Sequence, residues 1–277
     1  MDHYQVMGDR RLRIGCEFTY EAAIRTPTVF QVQANDEPRV KVLSEEWRIE
    51  PEVGSHGYQD LYDNPCLRVV LPQGMSTLTY EAVAVVPDAV EDFDEDAPEI
   101  MPEQLPDDVL IYTLPSRYVL PDMLADQSWA EFGSMPTGYR RVQAITQHVH
   151  DHLTFSYGSS LPTSTALDVY TSGYGVCRDF THLAISFCRA LNIPARYVFG
   201  YLPDLDVTPS PDPMDFAAWM EVWLGDRWWT FDPRNNRRLK GRVVVGRGRD
   251  ASDVAMATTF GGPTLHSMVV HAEEAQP

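Results

Sequence analysis

The sequence has few of the features that would place a protein on nucleic acid or in a membrane. Its 277 residues include only 22 Lys and Arg against 40 Asp and Glu, which gives a formal net charge of −18. Phosphates repel a chain this acidic, so we expect neither nucleic acid nor an anionic membrane as a partner. The sequence also contains no apolar run as long as a signal peptide's or as long as a helix that spans a bilayer.

Cysteine is scarce, and its spacing does not fit a metal site. The four cysteines are Cys16, Cys66, Cys177 and Cys188. The last two fall on one predicted helix, roughly 16 Å apart along its axis, and so cannot bond to each other. His148 and His152 have the i,i+4 spacing of some metal pairs, but no carboxylate follows at motif spacing. We therefore expect a reduced, cytoplasmic protein with no metal ion and no cofactor.

The N-terminal part has the pattern of an antiparallel β-sandwich. Short stretches of alternating or β-branched residues are separated by turn residues, without a long helical pattern. They are Leu12–Tyr20, Thr28–Gln33, Leu67–Leu71 and Leu78–Val86. The segment from Pro87 to Asp108 is acidic and proline-rich, which is typical of a solvated linker. We therefore predict two domains, residues 1–108 and residues 109–277.

The second part begins with helices. Apolar residues at helical spacing predict a helix from Tyr139 to Leu153. A shorter helix is predicted between Leu161 and Tyr170, with Thr163 or Ser164 as its N-cap. A third helix begins at Cys177 and stops at Asn192 and Pro194, after which residues 195–202 are predicted to form a strand.

Cys177 lies where a glycine-containing loop becomes the third helix. The free N–H groups and the positive dipole end of a helix N-terminus favour a thiolate, so we expect a lowered thiol pKa. A lone cysteine is more often a small packing residue. The position of Cys177 behind Gly173 and Gly175 favours the interpretation as a nucleophile.

Two apolar runs around Gly225-Asp226 predict a tight β-hairpin. This register pairs Val222 with Trp229 and Leu224 with Arg227, and it makes Asp232 a diagonal neighbour of position 217. Alternate residues then form the core face, namely Ala218, Met220, Val222, Leu224, Trp229 and Phe231. Asp232 is well placed to be the carboxylate that orients an imidazole base for a thiol nucleophile. The alternative is that it is a turn residue before Pro233.

Several motifs in order resemble the transglutaminase-like superfamily, most closely its bacterial members with an N-terminal β domain. They are Gly175-Val-Cys-Arg-Asp-Phe-Thr-His-Leu183, Ile193-Pro-Ala-Arg-Tyr-Val-Phe-Gly-Tyr201, Ala218-Trp-Met-Glu-Val-Trp223 and Trp228-Trp-Thr-Phe-Asp-Pro233. The resemblance implies an α+β fold, in which an antiparallel β-sandwich-like domain precedes a papain-like core. It further implies a Cys-His-Asp triad that hydrolyses a peptide or protein amide or transfers its acyl group.

By this resemblance Cys177 is the nucleophile and Asp232 the third member, but Ala217 stands where the family has histidine. Three accounts remain open. Another group replaces the base, with His148 or His152 as candidates, whereas His182 should face elsewhere, about 140° around the helix. Alternatively, the protein binds a peptide or acyl partner without turnover, or Ala217 is an engineered replacement.

Two aromatic residues are further candidates for substrate binding, Trp219 and Tyr174. Trp219, together with Trp223 and Trp228, either lines a substrate channel or packs against the N-terminal domain. Restoring the family's base in an Ala217→His variant is expected to create or raise amidase or esterase activity, because the hairpin register places position 217 beside Asp232.

Overall fold

A computed structural model of the chain describes residues 8–208 and 212–275. The strands are β1 (Asp9–Ala22), β2 (Thr26–Phe30), β3 (Lys41–Glu50), β4 (Ser55–Gln59), β5 (Pro65–Leu71), β6 (Gly74–Pro87), β7 (Thr154–Phe155), β8 (Tyr174–Gly175), β9 (Ala195–Tyr201), β10 (Ala217–Leu224), β11 (Arg227–Phe231), β12 (Val243–Gly248), β13 (Ala257–Thr259) and β14 (Thr264–Glu274). The α-helices are α1 (Ala125–Phe132), α2 (Tyr139–His152), α3 (Ala166–Ser172) and α4 (Cys177–Ala190), and two 3-10 helices span Pro102–Gln104 and Leu110–Thr113. None of the helices within these described ranges combines the length and the apolar character needed to cross a bilayer.

Two antiparallel four-stranded sheets account for the N-terminal region, with strand orders β14-β1-β6-β3 and β13-β2-β5-β4. In β1 the side chains that alternate toward the core are buried, including Leu12, Ile14 and Phe18. The predicted strands lie within or overlap β1, β2, β5 and β6. The sequence pattern missed β3 and β4, because most of their residues are exposed and leave little apolar alternation.

The end of the chain returns to these sheets. Strand β14 pairs with β1, and β13 pairs with β2, both antiparallel. The division into residues 1–108 and 109–277 stays a prediction. The pairing adds that residues 257–274 complete the N-terminal sheets, a long-range contact that no local pattern indicates.

Most residues of the acidic segment after β6 are exposed, as expected of a solvated segment, but two of its carboxylates contact the core. Glu91 forms an ion pair with Arg242, and Glu99 forms one with Arg141 at 3.3 Å. All four side chains are at most 14 % exposed. The carboxylates in this segment are therefore ion-pair partners for cations that the core buries.

The core places helices against a second antiparallel sheet of order β11-β10-β9-β12. Helix α4 packs on β10 and β9 and supplies the largest buried helical face. The helix predicted from Tyr139 is α2, with Val142, Ile145 and Val149 fully buried. The α+β fold class is therefore confirmed.

The N-cap predicted for the short helix is wrong by one or two residues. Helix α3 begins at Ala166, and its N-cap is Thr165. Asp168 accepts hydrogen bonds from the Thr165 N–H at 2.9 Å and from the Thr165 hydroxyl at 2.7 Å. A carboxylate three residues after the cap decides between adjacent hydroxyl residues, because only Thr165 has one at that spacing.

Candidate active site

Cys177 is the first residue of α4, and the turn before it is closely packed. The carboxylate of Asp179, which is fully buried, accepts the Val176 N–H at 2.9 Å and pairs with Arg178 at 3.0 Å. A Cβ on Gly175 would lie 2.7 Å from the Cβ of Asp179. Glycine is therefore required there, so that the chain can pass close to the helix and present Cys177 at its end.

The sulfur of Cys177 is partly buried and lies 3.9 Å from the carbonyl oxygen of Phe216, which accepts its S–H. Burial raises the pKa of this thiol to about 11, although Arg234 and the main-chain N–H groups of Ala218 and Arg178 lower it. The expected lowered pKa is therefore wrong. The helix N-terminus still favours the thiolate, but desolvation of the sulfur raises the pKa by more than the helix lowers it.

The predicted hairpin register is confirmed. Val222 pairs with Trp229 and Leu224 with Arg227, and Gly225 adopts a positive φ of 66° at the turn. The six residues predicted for the core face all belong to the main hydrophobic core. The ladder ends at the pair of Met220 with Phe231, so Asp232 directly follows the last paired residue of β11.

Position 217 is at the start of β10, beside the cysteine. The methyl group of Ala217 packs with Val198, Trp219 and Val244, and the residue is 9 % exposed. The same residue lines the cleft onto which Cys177 opens. The structure thus brings position 217 to the nucleophile, as the resemblance implied, with no group there that can exchange a proton.

Asp232 is buried, and its two carboxylate oxygens are held by neighbouring donors. Oδ1 accepts the Asn235 N–H at 2.9 Å, and Oδ2 accepts the Asn235 amide at 2.8 Å and Arg242 Nη2 at 2.7 Å. The guanidinium of Arg242 lies 4.7 Å from the centre of the Trp219 ring. This carboxylate is therefore engaged by an amide and an arginine in place of an imidazole.

His182 is directed away from Cys177, as the helix geometry predicted. Its ring stacks between Tyr118 and Tyr197, and its Nε2 accepts the Ala251 N–H at 3.1 Å. Burial lowers its pKa to about 3, so it stays neutral. His182 is therefore a core residue that binds a neighbouring loop.

His148 and His152 also lie away from the cysteine. Their rings stack on each other at 5.9 Å, and His148 additionally contacts Phe132 and Phe187. Nε2 of His152 donates to the carbonyl of Tyr170 at 2.7 Å. These contacts place both rings on the helical side of the core, where they do not reach the sulfur.

Cys177 opens onto a cleft of about 300 Å³ that three segments form, residues 202–207, 212–217 and 234–239. Its described lining contains acidic, basic and amide side chains and no histidine. Sequence reasoning missed Asp215, Arg234 and Asn235. Two signals were available, since Arg234 and Asn235 are two and three residues after Asp232, and Asp215 comes two residues before position 217.

The aromatic candidates for substrate binding lie elsewhere. Trp219 is 1 % exposed and packs beneath Arg242, outside the described lining of the cleft. Trp223 and Trp228 meet edge to face at 5.4 Å, also outside it. Tyr174 is 52 % exposed and is not among the described lining residues. A role for Trp219 or Tyr174 in substrate binding stays a prediction.

The α+β arrangement with a cysteine at the start of a central helix is that of a papain-like core. Residues 127–233 match the family model described as the transglutaminase-like superfamily. A Cytophaga hutchinsonii protein, provisionally classed as a cysteine protease, has a solved structure that is similar over 98% of this chain and 92% of its own, with TM-score 0.88 and 29% identity. Residues 127–233 therefore match the transglutaminase-like superfamily, and the fold of the chain is similar to that of the Cytophaga hutchinsonii protein.

Curated relatives match a shorter part. The uncharacterized protein ML0607 of Mycobacterium leprae is 35% identical over 119 residues, which cover 42% of this chain and 42% of that protein. The uncharacterized protein Rv2569c of Mycobacterium tuberculosis is 35% identical over 120 residues, 40% of this chain and 38% of that protein. The match therefore spans about two fifths of the length of these relatives.

Proposed function

We propose that the protein is a thiol-dependent acyl-transfer enzyme in which Cys177 attacks the carbonyl of a peptide or protein amide or of an ester. The observation that carries this proposal is the place of the sulfur. It stands at the first turn of α4, opens onto the cleft and receives main-chain N–H groups from Ala218 and Arg178. Main-chain donors at this point can also stabilise the oxyanion that forms when a thiolate adds to a carbonyl.

The product of the first step is an acyl-enzyme. The sulfur forms a bond to the carbonyl carbon, the leaving group departs with a proton, and water or an amine then takes the acyl group. A reduced, cytoplasmic setting agrees with this role, because all four cysteines are free thiols.

The test is direct acylation. The full chain is incubated with p-nitrophenyl acetate and with a peptide p-nitroanilide, and intact mass and peptide mapping locate the acyl group. We expect one adduct on Cys177 and none in a Cys177→Ser variant. A Cys66→Ser variant is the matched control, because that free thiol is buried elsewhere. The absence of both an adduct and Cys177-dependent product release with either probe would overturn the proposal.

A second candidate is a binding protein that uses the same cleft without turnover. The observation in its favour is the state of Asp232, whose oxygens are already held by Asn235 and Arg242. This candidate predicts that wild-type protein and a Cys177→Ala variant bind a peptide panel with equal affinity, with no product released by either. Release of product by the wild-type protein alone excludes it.

A further inference from the structure

Asp215 is a carboxylic acid in the Cys177 cleft that the family's triad does not use. It directly precedes Phe216, whose carbonyl oxygen contacts the Cys177 sulfur at 3.9 Å. Consecutive Cα atoms are about 3.8 Å apart, so the backbone of Asp215 is one residue from the nucleophile's nearest hydrogen-bond partner.

The carboxyl group of Asp215 is held in position. Its Oδ1 accepts the N–H of Phe216 at 2.7 Å. This bond holds one carboxylate oxygen at the segment that leads into β10. The residue as a whole is exposed at the cleft, while the protein around its carboxyl partly excludes water. Asp215 thus presents an oriented carboxyl to the cleft onto which Cys177 also opens, so a substrate bound there can contact both groups.

The electrostatic surroundings agree with a proton-transfer role. The protein around Asp215 desolvates its carboxyl and raises its pKa above the usual value, while Phe216 N–H and Arg234 act in the opposite direction. The negative charge of Asp215 in turn raises the pKa of the Cys177 thiol. Two groups whose charges influence each other in one cleft are candidates for an acid–base pair.

Arg234 completes this cluster. Its guanidinium lies 4.0 Å from the centre of the Phe155 ring, and its carbonyl accepts Nδ1 of His150 at 2.9 Å. The guanidinium is therefore packed on an aromatic ring, and the hydrogen bond from His150 holds the main chain of Arg234. The other charged or titratable groups of the described lining are Tyr157, Asp204, Asp212 and Arg237.

We propose that Asp215 replaces the family's histidine as the general base and general acid for Cys177. The inference rests on the proposed acyl-transfer function. The carboxylate accepts the S–H proton as sulfur bonds to the carbonyl carbon. The same carboxylic acid then donates that proton to the leaving nitrogen as the C–N bond breaks. In the second half Asp215 takes a proton from the water that bonds to the carbonyl carbon, and it passes this proton to the Cys177 sulfur as the C–S bond breaks.

The test uses an Asp215→Asn variant of the full chain, in which the side-chain oxygen can still accept the Phe216 N–H. Removal of the negative charge lowers the Cys177 pKa, so alkylation by iodoacetamide at pH 7 is expected to be equal or faster. Acylation and turnover of the peptide p-nitroanilide are expected to fall about 10²–10⁴-fold, the range for loss of general acid–base help. These two readouts change in opposite directions only if Asp215 moves a proton.

The pH profile supplies the second readout. With Asp215 present, the acylation rate is expected to rise through the Asp215 pKa and then remain level, since the thiol gives its proton to the carboxylate. In Asp215→Asn only the free thiolate reacts, so the rate should rise about tenfold per pH unit toward the thiol pKa of the variant, which is lower than the wild-type value of about 11. An Asp226→Asn variant is the charge control, because Asp226 is in the hairpin turn, at the opposite end of β10 from Ala217.

The outcomes separate the two proposals. If Cys177 of the wild-type protein is acylated, and the Asp215→Asn variant reacts at the same rate with the same pH profile, the role of Asp215 is overturned. The acyl-transfer function then remains supported. If alkylation and acylation of the variant rise together, Asp215 acts only through its charge, and the inference is again overturned. A wild-type Cys177 that no probe acylates overturns both.

Discussion

The carboxylate of Asp232 and the guanidinium of Arg242 form a buried ion pair, with Oδ2 and Nη2 2.7 Å apart and the side chains 1 % and 7 % exposed. Arg242 also pairs with Glu91 from the acidic segment. One cation therefore pairs with two carboxylates, one of them in the family's triad position. This arrangement joins the site to the segment between the two predicted domains.

An Arg242→Met variant tests this ion pair. It should lose roughly 3–5 kcal/mol of unfolding free energy, because two poorly hydrated carboxylates lose their shared cation. Urea denaturation at pH 7 measures the loss. An Arg48→Met variant is the control, since the pair of Arg48 with Glu46 is well exposed and its removal should have almost no effect. Equal stability of the two variants would show that the buried pair contributes little.

Glu221 provides a pH-dependent test of a second buried cluster. Burial alone would raise its pKa, but Arg196 and Arg247 outweigh burial and hold the pKa at about 2. The folded pKa is below the unfolded one of about 4.5, so this stabilisation is complete above that pH and is lost as the pH falls toward 2. The difference corresponds to roughly 3 kcal/mol.

A Glu221→Gln variant should therefore be less stable than the wild-type protein at pH 7 and should lose less stability on acidification. Thermal unfolding between pH 7 and pH 3 measures both curves. A Glu46→Gln variant is the matched control at an exposed arginine pair. Parallel curves for wild-type protein and Glu221→Gln would contradict the lowered pKa.

The reactivity of Cys177 is expected to be that of a protonated thiol. With a pKa of about 11, the rate of iodoacetamide labelling should rise about tenfold per pH unit between pH 7 and pH 9. Arg234 lowers this pKa, so Arg234→Gln should slow labelling at a fixed pH, whereas Arg234→Lys keeps the charge and most of the rate. Mass spectrometry of the native protein follows the reaction, and a rate independent of pH in this range would reveal a thiolate.

The Ala217→His variant is expected to gain less activity alone than the hairpin register suggests. The new imidazole needs Asp232 as its acceptor, but Asn235 and Arg242 already donate to that carboxylate. A second substitution, Asn235→Ala, removes the side-chain donor and leaves an oxygen for the ring. We expect less than about a tenfold gain in ester hydrolysis for the single variant and a gain of roughly 10²-fold or more for the double variant.

Rates with p-nitrophenyl acetate for the two single variants and the double variant form a cycle that isolates the coupling of positions 217 and 235. The same substitutions combined with Cys177→Ala are the control for reaction elsewhere on the protein. Additive effects in this cycle would show that Asn235 does not compete with an imidazole for Asp232.

Local patterns were sufficient for the elements that carry the nucleophile and the hairpin. Apolar spacing predicted α2 and α4, and the Gly225-Asp226 turn gave the pairing of Val222 with Trp229, because both signals depend on neighbours a few residues away. The prediction of the α3 N-cap was wrong although it also depends on near neighbours. Three adjacent hydroxyl residues compete for the position, and Asp168 decides between them. Strand β3 was not predicted, because an exposed strand has little apolar alternation.

The sequence by itself determined the family resemblance, the position of Cys177 at a helix start and the absence of a base at position 217. Only the tertiary structure decided which groups meet the sulfur. Asp215, Arg234 and Asn235 come from two separate segments that close over the start of α4. The same packing removes water from Cys177 and raises its pKa, and desolvation depends on all the atoms around a group, which no local pattern specifies.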